Sequence, residues 1–343
     1  MKQYLLPRDG QFYKANLHCH STVSDGWLTP EELRDAYREQ GYSVLAITDH
    51  EMMVDHTDLS TPDFLMLNGY EAYVKERLDD PRFMKTCHMN FIAKDPKQVK
   101  MVCVDPVYTR YAEKNGLKPE DLARVGDMCH RRYGPRCINC MIKTANENGY
   151  LVAYNHPSWS YETIQDIGQC EGMYALEIHN TGTTLLDGFP GDDARVYDQL
   201  LRQGKKLYCL ANDDNHNRYP LTSPLSDSFG GFNMIKAPEL SYGAIINALE
   251  QGHFYASQGP EIKELYAEDG KIFITCSDAR RIHMVTGGRT PGRQCIAREG
   301  LWLHEAEIEL KPDDMYFRME ILDPRGYKAW TQAYSVRGLL ATD

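Results

Sequence analysis

Histidines and carboxylates recur along this chain in short clusters: His18-Cys19-His20, Asp25-Gly26, Thr48-Asp49-His50, Glu71, His88, Asn155-His156-Pro157 and Asp214-Asn215-His216. Imidazole and carboxylate are the side chains that hold transition metals, and their mixture suits Zn, Mn or Fe better than Ca or Mg. Two such ions at bridging distance generate a hydroxide near neutral pH. They also clamp the attacking and leaving oxygens of an in-line displacement at phosphorus. On a strand the side-chain period is two, so His18 and His20 point to one side and can reach one ion. Asp214 and His216 share that spacing.

Most of these clusters close a segment that reads as a strand, while Asp25-Gly26 follows the first at once and His88 sits on the fourth. Residues 13–20 form the first. Thr29-Pro30-Glu31-Glu32 then carries every helix-start signal: a Thr cap, Pro in the first turn, and Glu three residues after the cap. That helix ends near Gly41, and 43–48 is an unbroken apolar strand of the kind buried on both faces of a parallel sheet. Further strands are expected at 64–71, 83–93, 150–154, 174–178, 207–211 and 231–236. Helices are expected at 137–148, 192–203 and 242–250, and another around 119–130 inside a polar insertion, 94–136. A parallel α/β barrel gathers the C-terminal ends of its strands on one face. The clusters therefore predict one multi-metal site built from the whole length of the chain. After about residue 258 the rhythm changes to short strands split by turns, near 271–276, 281–285, 302–310, 316–322 and 328–336, which suggests a small antiparallel domain.

Taken in order, His18-x-His20, Asp25-Gly26, Thr48-Asp49-His50, Asn155-His156-Pro157 and Asp214-x-His216 resemble the polymerase-and-histidinol-phosphatase (PHP) family over residues 13–257. The C-terminal segment is similar to the β appendage of some stand-alone PHP phosphoesterases. The resemblance implies an α/β fold, a distorted (β/α)7 barrel over 1–258, with a small C-terminal antiparallel β domain over 259–343. It implies two or three divalent transition metals (Zn, Mn or Fe) in the barrel mouth. Mapped position by position, His18, His20, Glu71 and Asp214 would hold one. Glu71 would bridge to a second, completed by His88 and His156. His50 and His216 would take a third, with Asp25 in or beside that shell. Asp49 reads as an orienter of its neighbours rather than a ligand. The implied activity is hydrolysis of a small phosphate ester, a nucleotide among the candidates, by attack of a metal-bound hydroxide.

Two residues complete the candidate site. His179 ends another strand, in Glu177-Ile178-His179-Asn180, and is a candidate leaving-group acid or substrate contact. Arg218, two residues past His216, could clamp a phosphate. The remaining histidines, His56 among them, fall outside the pattern and read as surface or packing residues. No GxSxG elbow and no GxxxxGK[ST] loop is present, which removes two competing mechanisms. The rivals are a metal-dependent amidohydrolase and a non-catalytic, metal-stabilised module that binds a partner.

The bulk composition narrows the partners. With a formal charge of -11 and no Lys/Arg run, the chain is not built to lie along long nucleic acid. Residues 1–7 are too short for a secretion signal, and no window has the apolar length of a membrane span. The ten cysteines are irregularly spaced, as in a reducing, cytoplasmic protein. Cys137-Ile138-Asn139-Cys140 has no second CxxC, so a zinc knuckle there is weakly supported. A small phosphorylated substrate is the expected partner.

Overall fold

Local signals set the first strand–helix–strand unit. In the computed structural model, which describes residues 2–189, 191–289 and 293–340, Thr29 Oγ1 accepts from the Glu32 amide at 3.2 Å. The Glu32 carboxylate accepts from the Thr29 amide at 2.8 Å. This capping box starts helix Pro30–Glu39, which buries Leu33 and Tyr37. Strands Gln11–Asn16 and Val44–Ile47 flank it and run parallel. Every residue of the second is buried, as its unbroken apolar run requires.

From Val44–Ile47 one large sheet continues through Leu65–Lys75, Thr86–Ala93, Tyr150–Tyr154, Ala175–Asn180 and Tyr208–Asn212. On the other side of Gln11–Asn16 lies Phe232–Ala237, antiparallel to it. The sheet curls until its flanks meet. The Asn233 side chain brackets Ala211, accepting from its amide at 3.1 Å and donating to its carbonyl at 2.8 Å. Beyond the strand ends the two chains pair directly. The Asp214 amide donates to His18 O at 2.9 Å, and the His20 amide to Asn215 O at 3.1 Å. Those bonds set the HxH and DxH clusters side by side.

The architecture is mixed α/β, and the parallel run is interrupted. Thr86–Ala93 pairs antiparallel with both Leu65–Lys75 and Tyr150–Tyr154. Segment 76–85 is shorter than the crossover of roughly a dozen residues that a parallel return requires, so the chain doubles back. The helix expected at 119–130 does not form. A single turn at Pro119–Asp121 is followed by Arg124–Val125, which pairs with Met101–Val102, and Gly126 then takes φ +74°. Pairing and a left-handed glycine both oppose a helix there. The insertion is pinned by buried Arg131, whose guanidinium donates to Glu51 Oε2 at 3.0 Å, Tyr73 O at 3.0 Å and Cys103 O at 2.9 Å.

Past residue 258 the described residues form strands joined by turns, with one 3-10 turn at Pro312–Asp314. Ile262–Glu268, Lys271–Ala279 and Leu303–Glu309 form an antiparallel sheet with the N-terminal Gln3–Tyr4. Arg281–Thr286, Gln294–Ile296, Tyr316–Leu322 and Lys328–Thr331 extend the large sheet, the last pairing with Phe254–Ser257. Leu6, Leu265, Ile274, Ile282 and Phe317 share one core beneath these strands. Gln3–Tyr4, Phe254–Ser257, Ile262–Glu268 and Gln294–Ile296 are strands the sequence pattern did not mark. No helix among the described residues is long and apolar enough to cross a membrane.

A buried ion pair ties the C-terminal strands to the helix behind the site. Arg318 Nε and Nη2 lie 2.9 and 2.8 Å from the Asp198 carboxylate, on helix Ala194–Arg202. Removing Asp198 leaves the buried guanidinium, among the described residues, with only Glu320, whose Oε2 lies at 3.4 Å. Asp198→Ala should therefore destabilise the protein by about 3 kcal/mol, read from the midpoint of denaturant unfolding; a shift below about 0.5 kcal/mol would contradict the role given to this pair.

Candidate metal centre

Strands and the segments that follow them deliver ligating side chains to one buried locus, with Glu71 and His88 coming from within the strands expected to end at 71 and 93. His18 and His20 are both fully buried. Their Nε2 atoms lie 3.3 Å apart, and both approach Asp214 Oδ1, at 3.0 and 2.9 Å. Glu71 is fully buried inside Leu65–Lys75. Its Oε1 lies 3.1 Å from His88 Nδ1, 3.3 Å from His18 Nε2 and 3.4 Å from His156 Nε2. Its Oε2 lies 2.8 Å from His50 Nδ1 and 3.6 Å from His20 Nε2. Asp25 faces His216 Nε2 at 3.5 Å, His50 Nε2 at 3.9 Å and His20 Nδ1 at 4.0 Å.

Four overlapping groups result: His20, Asp25, His50 and His216; His18, His20 and Asp214; His18, Glu71 and His156; His50, Glu71 and His88. Within each group the ligand atoms lie within 4.8 Å of one another. All nine histidines and carboxylates singled out as ligands are thus brought together.

The donor set fits a cation. His18 Nδ1 stands 3.0 Å from Glu177 Oε1, which holds the ring proton on Nδ1. In the neutral ring the Nε2 lone pair then points at carboxylate oxygens of Asp214 and Glu71; burial opposes a second ring proton there, but Asp214, Glu177 and Glu71 outweigh it and raise His18 well above the usual imidazole range. Lone pairs facing at that distance repel unless positive charge lies between them. His50 Nδ1 and Glu71 Oε2 are likewise buried, 2.8 Å apart, and without a hydrogen-bond partner. Orphaned buried polar atoms are rare and are satisfied by an ion or a water. Imidazole and carboxylate together fit divalent transition metals.

The same crowding splits the titration of the site. Burial pushes the Asp214 carboxyl up, but His18 and His20 outweigh it and hold it well below the carboxylate range. Burial likewise opposes, and His88, His18 and His50 outweigh, at Glu71. Burial lowers His50, yet the attraction of Glu71 carries it to about 9. Burial prevails at His88 and His216, which fall to about 4. The carboxylates therefore stay ionised and demand compensating positive charge.

An outer layer fixes the ligands. Glu177 also accepts from Asn212 Nδ2 at 2.9 Å, Asn180 Nδ2 at 2.8 Å and the His156 amide at 3.1 Å. Asn155 Nδ2 donates to Glu71 Oε1 at 2.6 Å. Asp49 accepts from the hydroxyls of Ser21 and Ser24, both at 2.6 Å, and from their amides. It thereby holds the loop between HxH and Asp25. Gly26 is there for lack of space: a Cβ would stand 2.2 Å from His20 O. His156 and Asp214 take φ of +30° and +52°, unusual for residues with side chains and common where a site is held under strain.

His179 does not join these residues. Its Nδ1 engages Gly191 O at 2.7 Å and its Nε2 Thr181 Oγ1 at 3.2 Å, with the ring stacked toward Trp330. The register of Ala175–Asn180 against its neighbour shifts just there, so Glu177 turns to the metal ligands and His179 does not. His56 is buried rather than on the surface. Cys137 and Cys140 belong to no ligating group among the described residues.

Above the ligands opens a cavity of about 750 Å³. Arg218 lines it, together with Lys75, Arg82 and Arg110, which the spacing arguments missed because they lie away from the His clusters. Trp159, Tyr161, Phe189 and Leu186 form an apolar wall. Trp159 packs edge-on against His88 and His156, with ring centroids 5.2 and 4.9 Å away.

Residues 16–119 match the family model of the PHP domain. A stretch of 52 residues is 42% identical to a 5'-3' exoribonuclease of Haemophilus influenzae, covering 15% of this chain and 19% of that protein. The match thus spans about a fifth of that relative's length. Among solved structures, a two-domain protein from Bacteroides vulgatus containing a predicted PHP-like metal-dependent phosphoesterase is 15% identical. It aligns over 97% of both chains with a TM-score of 0.45. An amidohydrolase from Chromobacterium violaceum, solved with sulfate and no metal, is 18% identical over 59% of this chain and 87% of that one, with a TM-score of 0.39.

Glu177 offers a test of the outer layer. Glu177→Gln should keep the fold and lower the affinity for Mn or Zn about tenfold to a hundredfold, measured by metal titration of chelator-stripped protein. Unchanged affinity would mean that the tautomer of His18 is set otherwise.

Proposed function

We propose that this protein is a metal-dependent phosphoesterase acting on a small phosphate ester. One observation carries the reading: nine ligating side chains converge beneath a cavity that four cationic side chains also line. The curled sheet is read as the distorted (β/α)7 barrel, residues 1–258 as the catalytic part and 259–343 as a β-rich domain outside the ligand set. Two or three divalent ions (Zn, Mn or Fe) would sit on His18, His20, Glu71 and Asp214, on Glu71, His88 and His156, and on Asp25, His50 and His216. Bound there, they would supply positive charge to the phosphoryl oxygens and make a water more acidic.

The chain's own residues do the remaining work. Arg218, exposed on the cavity wall, offers a planar fork to a phosphate. Trp159 and its apolar neighbours keep water from the far side of the ligands and offer a surface to an organic leaving group. His179 is held away from the cavity, so protonation of the leaving group does not fall to it. A cavity of this size takes a small molecule, and a net charge of -11 disfavours long polyanions outside it. Free thiols at all ten cysteines support a reducing, cytoplasmic setting.

A chromogenic phosphate monoester assayed with Mn or Zn tests this. Hydrolysis should stop on chelation and recover on adding metal. His20→Ala should cut kcat/KM by at least about a hundredfold. His304→Ala, exposed and paired with Asp278 at 2.9 Å, should leave it unchanged. Equal loss in both variants, or activity that survives chelation, would contradict the assignment.

Arg218→Ala should raise KM about tenfold with kcat kept if the guanidinium binds substrate and transition state equally. Unaltered kinetics would remove Arg218 from the site.

A further inference from the structure

The insertion lays one short helix, Arg110–Lys114, on the loop that carries Asp25. Tyr111, Lys114 and the capping Asn115 stand at positions i, i+3 and i+4, so they share one face. All three grip residues 22–25. Lys114 Nζ donates to Thr22 O at 2.8 Å and to Ser24 O at 2.6 Å. Asn115 Nδ2 donates to Val23 O at 2.8 Å. The hydroxyl of buried Tyr111 donates to Asp25 Oδ2 at 2.7 Å.

That last bond decides how the carboxylate is turned. The terminal torsion of an aspartate is broad, so a neighbour must fix it. Tyr111 occupies Oδ2, which leaves Oδ1 to face His216 Nε2 at 3.5 Å and His20 Nδ1 at 4.0 Å. Ser24 Oγ also lies near Asp25, 3.2 Å from Oδ1, but it stands closer to Asp49 Oδ1, at 2.6 Å. A hydroxyl has one proton to give, and that of Ser24 goes to Asp49. The phenol is held in its turn. Its ring lies 13° from parallel to the His50 ring, with centroids 6.0 Å apart. The Arg110 guanidinium stands 4.4 Å from the ring centroid and donates to the hydroxyl. Asp25 belongs to one of the four ligand groups, that with His20, His50 and His216. The grip of the helix therefore bears on one ion and not on the whole centre.

We infer that Tyr111 is the positioning residue for the ion assigned to Asp25, His50 and His216, so that the insertion governs the occupancy of that ion alone. The ligands around Glu71 and Asp214 are set by the sheet and by the pairing of residues 18–20 with 214–215. The remaining site is completed from outside the sheet, by a hydroxyl that holds one carboxylate oxygen and presents the other. This rests on the metal assignment within the proposed function and not on the phosphoester as substrate.

The test measures stepwise Mn and Zn affinities of the chelator-stripped full chain by calorimetry, with native mass spectrometry counting the ions. Tyr111→Phe keeps the ring and removes only the hydroxyl. It should weaken one binding step by about tenfold to a hundredfold and leave the other steps and the circular dichroism unchanged. Asp25→Ala should weaken the same step, and adding Tyr111→Phe to it should cost nothing more, because the two act through one bond. Wild-type affinity at every step in Tyr111→Phe overturns the inference. So does a weakening spread over all steps, which a general packing role would give, or a further loss on top of Asp25→Ala. An Asp25→Ala variant that keeps every ion at full affinity overturns it as well, since Asp25 would then be no ligand. If the one-step loss is found while no phosphate ester is hydrolysed with any metal, the role of Tyr111 stands and the phosphoesterase reading falls.

Discussion

Glu71 is a carboxylate buried without solvent, with imidazole nitrogens against both of its oxygens. An isolated ionised carboxylate in such a place is costly enough to take up a proton instead. Here the surrounding histidines hold it ionised, so the interior must supply positive charge around one fixed point. The rest of the site follows from that demand. His18, His20, His50, His88 and His156 all come within reach of Glu71, and Asp214 closes the far side. Divalent cations meet the demand more fully than protonated imidazoles, because each neutralises two carboxylates while accepting the histidine lone pairs.

The fold spends backbone hydrogen bonds on keeping this arrangement. The parallel pairing of residues 18–20 with 214–215 fixes the distance between HxH and DxH without any side chain taking part. Buried carboxylates outside the ligand set then fix the loops. Asp49 ties down residues 21–24, Asp213 accepts from the amides of Phe229, Gly230 and Gly231, and Glu51 ties the insertion to the segment just after His50. Asp49, Glu51 and Asp213 adjoin the candidate ligands His50 and Asp214 in sequence, so strain at a ligand is resisted within one residue of it. The insertion is consequently a wall of the site and not a loose excursion.

The ligand set was legible because strand ends with i, i+2 spacing leave little choice of direction. His18 and His20, or Asp214 and His216, declare themselves by period alone. The boundaries at 150–154, 242–250 and 316–322 are the strands and helix observed, since apolar runs closed by turn residues constrain both ends. Glu177 was passed over in favour of His179 two residues on. Period two cannot reveal the register shift that separates them. The helix expected at 119–130 failed because Met101–Val102, distant in sequence, pairs with Arg124–Val125, and non-local pairing leaves no periodic trace. The antiparallel turn of Thr86–Ala93 was readable only from loop length. The cationic cavity wall was invisible for a further reason: Lys75, Arg82, Arg110 and Arg218 have no common spacing and come from separate segments.

The central claim is that one carboxylate organises more than one ion. Native mass spectrometry of chelator-stripped protein titrated with Mn or Zn tests it most directly, with Glu71→Gln beside the wild type. The account predicts at least two ions per wild-type chain, and loss of more than one when the shared carboxylate becomes an amide. A single ion in the wild type, or full occupancy retained in Glu71→Gln, would contradict it.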